Sequence, residues 1–181
     1  MLNKLTDKND QTYGGCQWGE GVTVETSGEG ELCGPGWTHW YTHSLLAVLL
    51  NPIHGNFDLT TAHLWEGEGE VKKTDHGLKV GCQKATTLRR VELPEVTTEQ
   101  RVRFAILCAK EICNEPTWIN WADRWLSGED RTEVSAEWAA KAAAEAAEWA
   151  AEWAEWAEWA AEAAKAADLL DLIAIAKMAM E

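Results

Sequence analysis

The C-terminal part of the chain has the hydrophobic pattern of one long helix. From Glu137 to Asp171 it consists mainly of Ala, Glu and Trp, and it contains no Gly or Pro. Ala and Glu are strong helix formers. At 3.6 residues per turn, the five Trp of this segment share an arc of roughly 120°, beside a stripe of charged residues. The pattern predicts a long, coiled-coil-like amphipathic helix over residues 131–181.

This helix would carry two apolar faces, one of Trp and one of Ala, and each face needs a packing partner. We therefore predict a homo-oligomer whose subunits associate through the helix. The alternative is that the helix folds back on its own N-terminal domain. The residues assigned to the subunit contact are Trp149, Trp153, Trp156, Trp159, Ala150, Ala154, Ala157, Ala161, Leu169, Leu172 and Ile173.

The rest of the chain combines the strand and helix periods. The runs AHLWEGEGEV and GLKVGCQKATTLRRVELP alternate as strands do, whereas WTHWYTHSLLAVLLN predicts a helix of about three turns. Thr97 and Gln100 form a capping box that opens a second helix. WINWADRWL predicts a short third helix with a Trp face, because Trp118, Trp121 and Trp125 lie at i, i+3 and i+7. The fold class is α+β: residues 1–12 form a flexible N-terminus, residues 13–127 a mixed domain, and 131–181 the long helix.

Charge and composition restrict the partners and the compartment. The net charge of −14 disfavours binding to duplex nucleic acid or to an anionic membrane, because proteins bind both through Lys and Arg side chains. No apolar run reaches the roughly 18 residues that a membrane span requires, and the polar N-terminus lacks a signal core. The five Cys are odd in number and show no C-x-x-C spacing. These features indicate a cytoplasmic protein with free thiols.

One block of residues has the chemistry of a ligand site. Aromatic side chains at Trp37, Trp40 and Tyr41, with His39 and His43, are suited to stacking a base or nucleotide ring. The two basic residues Arg89 and Arg90 would then neutralise its phosphates. The alternative interpretation places the two Trp in the core and the two Arg in solvent.

Metal binding and covalent catalysis are weaker interpretations of the same region. A helix would put His39 and His43 on one face, with Cys33, His54 and His63 as further ligands, but no short supporting spacing accompanies them. Cys33 with His39 would make a nucleophile and base, yet no orienting third residue is evident. We predict no metal, no cofactor and no catalytic residue.

Residues 13–112 carry motifs that resemble an uncharacterised domain family of bacteriophages and prophages. These motifs are ELCGPGWTHWYTHSLLAVLLNPIHGNF, LWEGEGEV, GLKVGCQKATTLRRVELP and EQRVRFAILCA. Members of that family often share the Leu-Cys…Gly-Trp/Phe-His block and an Ala-rich helical tail. The resemblance implies a viral or prophage accessory protein that acts in the bacterial cytoplasm, without implying a reaction.

Three classes of function are compatible with these features. The first is a non-enzymatic protein that oligomerises and binds or sequesters a host component, such as a protein or a nucleotide signal of an antiviral system. The second is a structural protein that forms a filament or lattice. The third is a nucleotide-using enzyme built around Trp37–His43. The acidic surface and the absence of catalytic motifs favour the first class.

Overall fold

The computed structural model describes residues 1–113, 115–132, 135 and 171–181. It confirms a mixed α+β protein with an antiparallel sheet. The chain divides into two compact units, Met1–Glu95 and Val96–Glu181. The division falls after Glu95, so the second and third predicted helices belong to the C-terminal unit.

The first unit contains the strands and two short helices. In chain order they are β1 (Leu2–Thr6), β2 (Gln11–Thr12), β3 (Cys16–Gln17), β4 (Thr23–Glu25), β5 (Thr38–Trp40), α1 (Ser44–Leu49), α2 (Asn51–His54), β6 (His63–Asp75) and β7 (Lys79–Val91). The runs AHLWEGEGEV and GLKVGCQKATTLRRVELP predict two or three strands, and the structure has two, which form the long hairpin of β6 and β7. β2 and β3 form a separate small hairpin.

The main sheet is strongly curved, and its pairings return to their starting strand. β1 pairs with β6, β6 with β7, and β7 with both β4 and β5. Asn3 on β1 then exchanges two backbone hydrogen bonds with Tyr41, at the end of β5, with N···O distances of 2.8 and 2.9 Å. The ring β1–β6–β7–β5 is therefore closed, and we call it the closed sheet.

Glycine allows the strands of the closed sheet to approach its aromatic core. A Cβ atom at Gly67 would lie 2.5 Å from Trp40 Cζ3 and 2.6 Å from the Thr86 carbonyl oxygen. Contacts this short are forbidden, so no larger residue fits there. The pairing of β6 with β7 also shifts register between Glu66 and Gly67, and such irregularities bend a strand.

Two predictions for this unit are wrong. The N-terminus is not flexible: Leu2–Thr6 form a strand in which all five residues are buried, because β1 has β6 on one side and Tyr41 on the other. The helix predicted from Trp37 onward begins only at Ser44. Thr38–Trp40 pair with β7 instead, since β-branched and aromatic residues suit a half-buried strand.

The second unit is helical. It contains α3 (Thr98–Ile112), α4 (Pro116–Ser127) and α5 (Leu172–Ala179). The predicted capping box is confirmed, because the Thr97 hydroxyl accepts from the Gln100 amide while the Gln100 side chain accepts from Thr97. Ile106, Ala122 and Trp125 form the core between α3 and α4, and Trp118 and Trp121 pack against it, which confirms the predicted Trp face of α4.

The predicted long helix is not shown. Most of it lies outside the described residues, and the final helix has only eight residues. One unbroken helix over residues 131–181 is excluded at Asp171, because the backbone of this residue (φ −79°, ψ 80°) is not helical. Its side chain caps α5 by accepting from the Ala174 amide. Among the helices of the described ranges, none is long and apolar enough to cross a membrane.

Candidate functional site

The predicted aromatic block lies in the interior of the first unit. Trp40 is fully buried, and Trp37 and Tyr41 are each 9% exposed. Trp18 meets Trp40 edge to face, with ring centroids 5.4 Å apart. Since stacking a base requires an accessible ring face, the prediction that Trp40 stacks a ligand is wrong, and the alternative core interpretation holds for both Trp37 and Trp40.

The polar atoms of this block bind the protein itself. Trp37 Nε1 donates to the Gly30 carbonyl (3.0 Å), and the His39 ring bonds the carbonyl of Leu32. His43 Nδ1 accepts from the Leu45 amide and so caps α1. Trp37 and His39 hold the glycine-rich loop, residues 28–36, and His43 starts a helix, so these side chains do not converge on a ligand.

The two histidines of the block are not on one helix face. His39 lies in β5, whereas His43 lies beyond it as the N-cap of α1, which removes the geometric reason for pairing them as metal ligands. His54 bonds the Tyr41 hydroxyl (3.0 Å). In the portion of the chain that the structure describes, no group of three or more His, Cys, Asp or Glu side chains could hold a metal ion.

Burial sets the protonation of the Tyr41–His54 pair. Loss of solvent raises the pKa of the Tyr41 hydroxyl well above its usual value, and it lowers the pKa of His54 to about 4. The nearby charges of Lys79 and His39 lower the His54 value further. At neutral pH both groups are uncharged, so the Tyr41 hydroxyl and the imidazole Nδ1 share a neutral hydrogen bond.

Arg89 and Arg90 lie near the end of β7, where they pair with Glu66 and Trp65 of β6, whereas Trp40 pairs with Val80 near the start of β7. Arg89 forms a salt bridge with Glu66 (2.6 Å). Arg89 is therefore already paired with a carboxylate of the first unit.

Arg90 instead belongs to a polar cluster around Asp10, which we call the Asp10 cluster. The Asp10 carboxylate accepts from His63 Nδ1 (2.7 Å), Trp65 Nε1 (3.1 Å) and Arg90 (2.9 Å). Arg90 also lies over the Trp65 ring, 5.2 Å from its centroid. Because the carboxylate binds Nδ1, neutral His63 donates from that atom, which leaves Nε2 as the acceptor.

The Asp10 cluster was not predicted from the sequence. Its members come from the β1–β2 turn, β6 and β7, and Asp10 and Arg90 are 80 residues apart. The one local signal in the sequence is the turn-forming run TDKNDQT. In the structure Asp10 lies in this turn with a left-handed backbone (φ 62°), which Asp tolerates better than most residues. Such a position, occupied by a charged residue rather than Gly, indicates that the side chain has partners.

The glycine-rich loop presents the exposed thiol of Cys33. Lys79 Nζ lies 3.2 Å from its Sγ and 4.0 Å from the Asp75 carboxylate. The loop is fixed by backbone contacts, including one between the Gly28 amide and the Gly36 carbonyl (2.9 Å). The His39 imidazole bonds the backbone carbonyl of Leu32 in this loop. The structure shows no hydrogen bond between His39 and Cys33 that would make the imidazole a base for the thiol.

The predicted oligomerisation residues are only partly described. Leu172 is 6% exposed and belongs to α5, which packs on α3 of the same chain, so this residue is already covered without a second subunit. Ile173 is half-buried. The other assigned positions lie outside the described residues; they are Trp149, Trp153, Trp156, Trp159, Ala150, Ala154, Ala157, Ala161 and Leu169.

Comparison with family models, with curated proteins and with solved structures yields no match to this chain.

Proposed function

We propose that this protein is a non-enzymatic, phage-associated accessory protein that oligomerises through its C-terminal region and binds a host component in the bacterial cytoplasm. The target class that we favour is a protein. A nucleotide signal is less well supported, because the aromatic residues that would stack it are buried and their polar atoms have partners within the chain.

The main support for this proposal is the distribution of tryptophan along the chain. The chain has 12 Trp, and the seven in the described ranges are all buried or half-buried. They are Trp18, Trp37, Trp40, Trp65, Trp118, Trp121 and Trp125. The other five lie in the 35 residues 136–170, together with 18 Ala, in a unit whose α3 and α4 already share a core. Trp is enriched where protein surfaces bind each other.

Both neighbours of that segment are anchored in the second unit. Trp121 Nε1 donates to the Ser135 hydroxyl (3.1 Å), which itself donates to the Asp130 carbonyl (3.0 Å). On the other side, Asp171 caps α5, and the Gln100 side chain of α3 donates to the Met180 carbonyl (3.1 Å). An association surface between these anchors would transmit its contacts to a folded unit rather than to a free tail.

The assembly part of the proposal is tested with Ala150→Glu combined with Ala157→Glu. These substitutions place carboxylates on the predicted Ala face, where close helix approach would bury them unpaired. We expect sedimentation velocity to show a shift from oligomer to monomer or to aggregate.

Lys141→Glu is the matched control. It changes the net charge by the same two units but lies in the predicted charged stripe, so its sedimentation should resemble that of the wild type. An unchanged mass for the double variant would show that the Ala face makes no subunit contact. Open-ended growth of the wild type with concentration would instead support the filament alternative.

A further inference from the structure

The side chain of Lys4 lies inside the closed sheet. The residue is 6% exposed, and its neighbours Leu2, Trp18 and Trp40 belong to the apolar core of the first unit. Its Nζ atom donates to the carbonyl oxygen of His39 (2.7 Å). The same atom lies 4.4 Å from the ring centroid of Trp18 and 5.2 Å from that of Trp40.

The groups that face this amine carry no compensating negative charge. The titratable side chains that interact with its charge are the Cys16 thiol of β3, the Cys82 thiol of β7 and the His39 imidazole of β5. Burial raises the pKa of Cys82 and lowers the pKa of His39, so it favours the uncharged form of both. The residue opposite Lys4 on β6 is Trp65, and α1, which also packs on β1, has no titratable side chain. Among the described residues, no carboxylate forms an ion pair with Lys4.

Burial without a carboxylate disfavours the ammonium form. It lowers the pKa of Lys4 from its usual 10.5 to about 7. The two indole faces and the His39 carbonyl favour the charged form, but they are dipoles and quadrupoles rather than charges. They reduce the cost of burying the ammonium and do not replace a counter-ion, so burial has the larger effect.

We propose that Lys4 is a pH-sensitive latch for the N-terminal strand: the neutral amine holds β1 in the closed sheet, and protonation of the amine weakens that hold. β1 is suited to this role because one edge bonds β6 over five residues, whereas the other edge is held only around Asn3 and Tyr41. The charged state of a single core residue can therefore shift the balance between the docked and the released strand.

The direction of the pH dependence follows from proton binding. The unfolded chain keeps Lys4 protonated up to about pH 10.5, whereas the folded unit releases that proton above about pH 7. The unfolded state binds more protons between these values, so stability rises with pH across that window and is lost as the pH falls to about 7. One such group changes the unfolding equilibrium constant by up to about tenfold per pH unit.

The test compares urea denaturation of the full chain with that of Lys4→Met between pH 6 and 10. Met has a similar length and cannot be charged. We expect the midpoint of the wild type to rise with pH relative to that of Lys4→Met, and a Lys8→Met control, which removes an exposed lysine of the next turn, to follow the wild type. Parallel curves for the wild type and Lys4→Met would overturn the proposal.

A second measurement keeps the proposal falsifiable if Lys4→Met does not fold. The Cε resonance of Lys4 can be followed by NMR in ¹³C-lysine-labelled wild-type protein, assigned by comparison with Lys4→Arg. We expect its midpoint near pH 7. A midpoint near the usual lysine value of 10.5 would show that the buried amine stays charged and cannot act as the latch.

Discussion

Asp10 illustrates what a single residue contributes to this fold. Its left-handed backbone costs about 1 kcal/mol for a residue with a Cβ atom, a cost that Gly at the same position would avoid. Its carboxylate binds three donors from two strands, including the indole N–H of Trp65, which is 5% exposed. Leaving such a donor unpaired costs more than the backbone conformation.

Asp10→Ala should therefore destabilise the first unit by about 2 kcal/mol, because the partners on Trp65, His63 and Arg90 all lose their acceptor. Asp10→Asn should be intermediate, since Asn tolerates the left-handed backbone and keeps one side-chain acceptor. Urea denaturation measures this order. Glu68→Ala, which removes an exposed carboxylate, is the control and should be neutral; equal losses for Asp10→Ala and Glu68→Ala would refute the role of the cluster.

His54 provides a separate titration in acid. Its pKa is lowered from 6.5 to about 4, so the unfolded chain binds more protons between these values. Stability is present in full above pH 6.5 and is lost as the pH falls towards 4. His54→Gln keeps an acceptor for the Tyr41 hydroxyl but cannot titrate, so its unfolding midpoint should fall less steeply than that of the wild type in this range.

If His54→Gln and the wild type lose stability in parallel between pH 6.5 and 4, the buried imidazole is not the group responsible.

Several secondary-structure elements could be predicted from the local sequence pattern, because their apolar residues lie on a single face. The hairpin of β6 and β7, the capping box of α3 and the Trp face of α4 all follow from alternation or from three- and four-residue spacing. The run THWYT was misassigned because aromatic and β-branched residues suit a strand whenever a partner such as β7 is available. That partner is more than 35 residues away, beyond the reach of a periodicity argument.

Gly67 tests whether the closed sheet depends on the approach of β6 to Trp40. Gly67→Ala would place a Cβ atom 2.5 Å from the Trp40 ring and 2.6 Å from the Thr86 carbonyl, so we expect a loss of about 3 kcal/mol or more, measured by urea denaturation. Gly14→Ala is the control. Gly14 has a positive φ (71°), but nothing lies within 4 Å of the added atom, so the cost of its substitution should be only about 1 kcal/mol.

At the scale of the whole molecule, the sequence predicted the fold class but not the way the chain closes. β1 was not predicted, because the inward face of this strand consists of Leu2, Lys4 and Thr6. A lysine at such a position normally indicates a solvated strand or a flexible end. The prediction of a ligand site at the aromatic block was not supported for a related reason. Trp, His and Tyr at short spacing are equally suited to a core and to a binding surface, and only the pairing of β5 with β7 distinguishes them.

The proposed function requires that the protein form an oligomer and bind a host protein. Its most direct test is native mass spectrometry of the intact chain, purified from bacterial cells without denaturation. We predict a closed oligomer of defined stoichiometry that carries no small-molecule mass and dissociates in the Ala150→Glu, Ala157→Glu variant. A bare monomer at micromolar concentration would contradict the claim, because the Trp and Ala residues of 136–170 would then be satisfied within one chain.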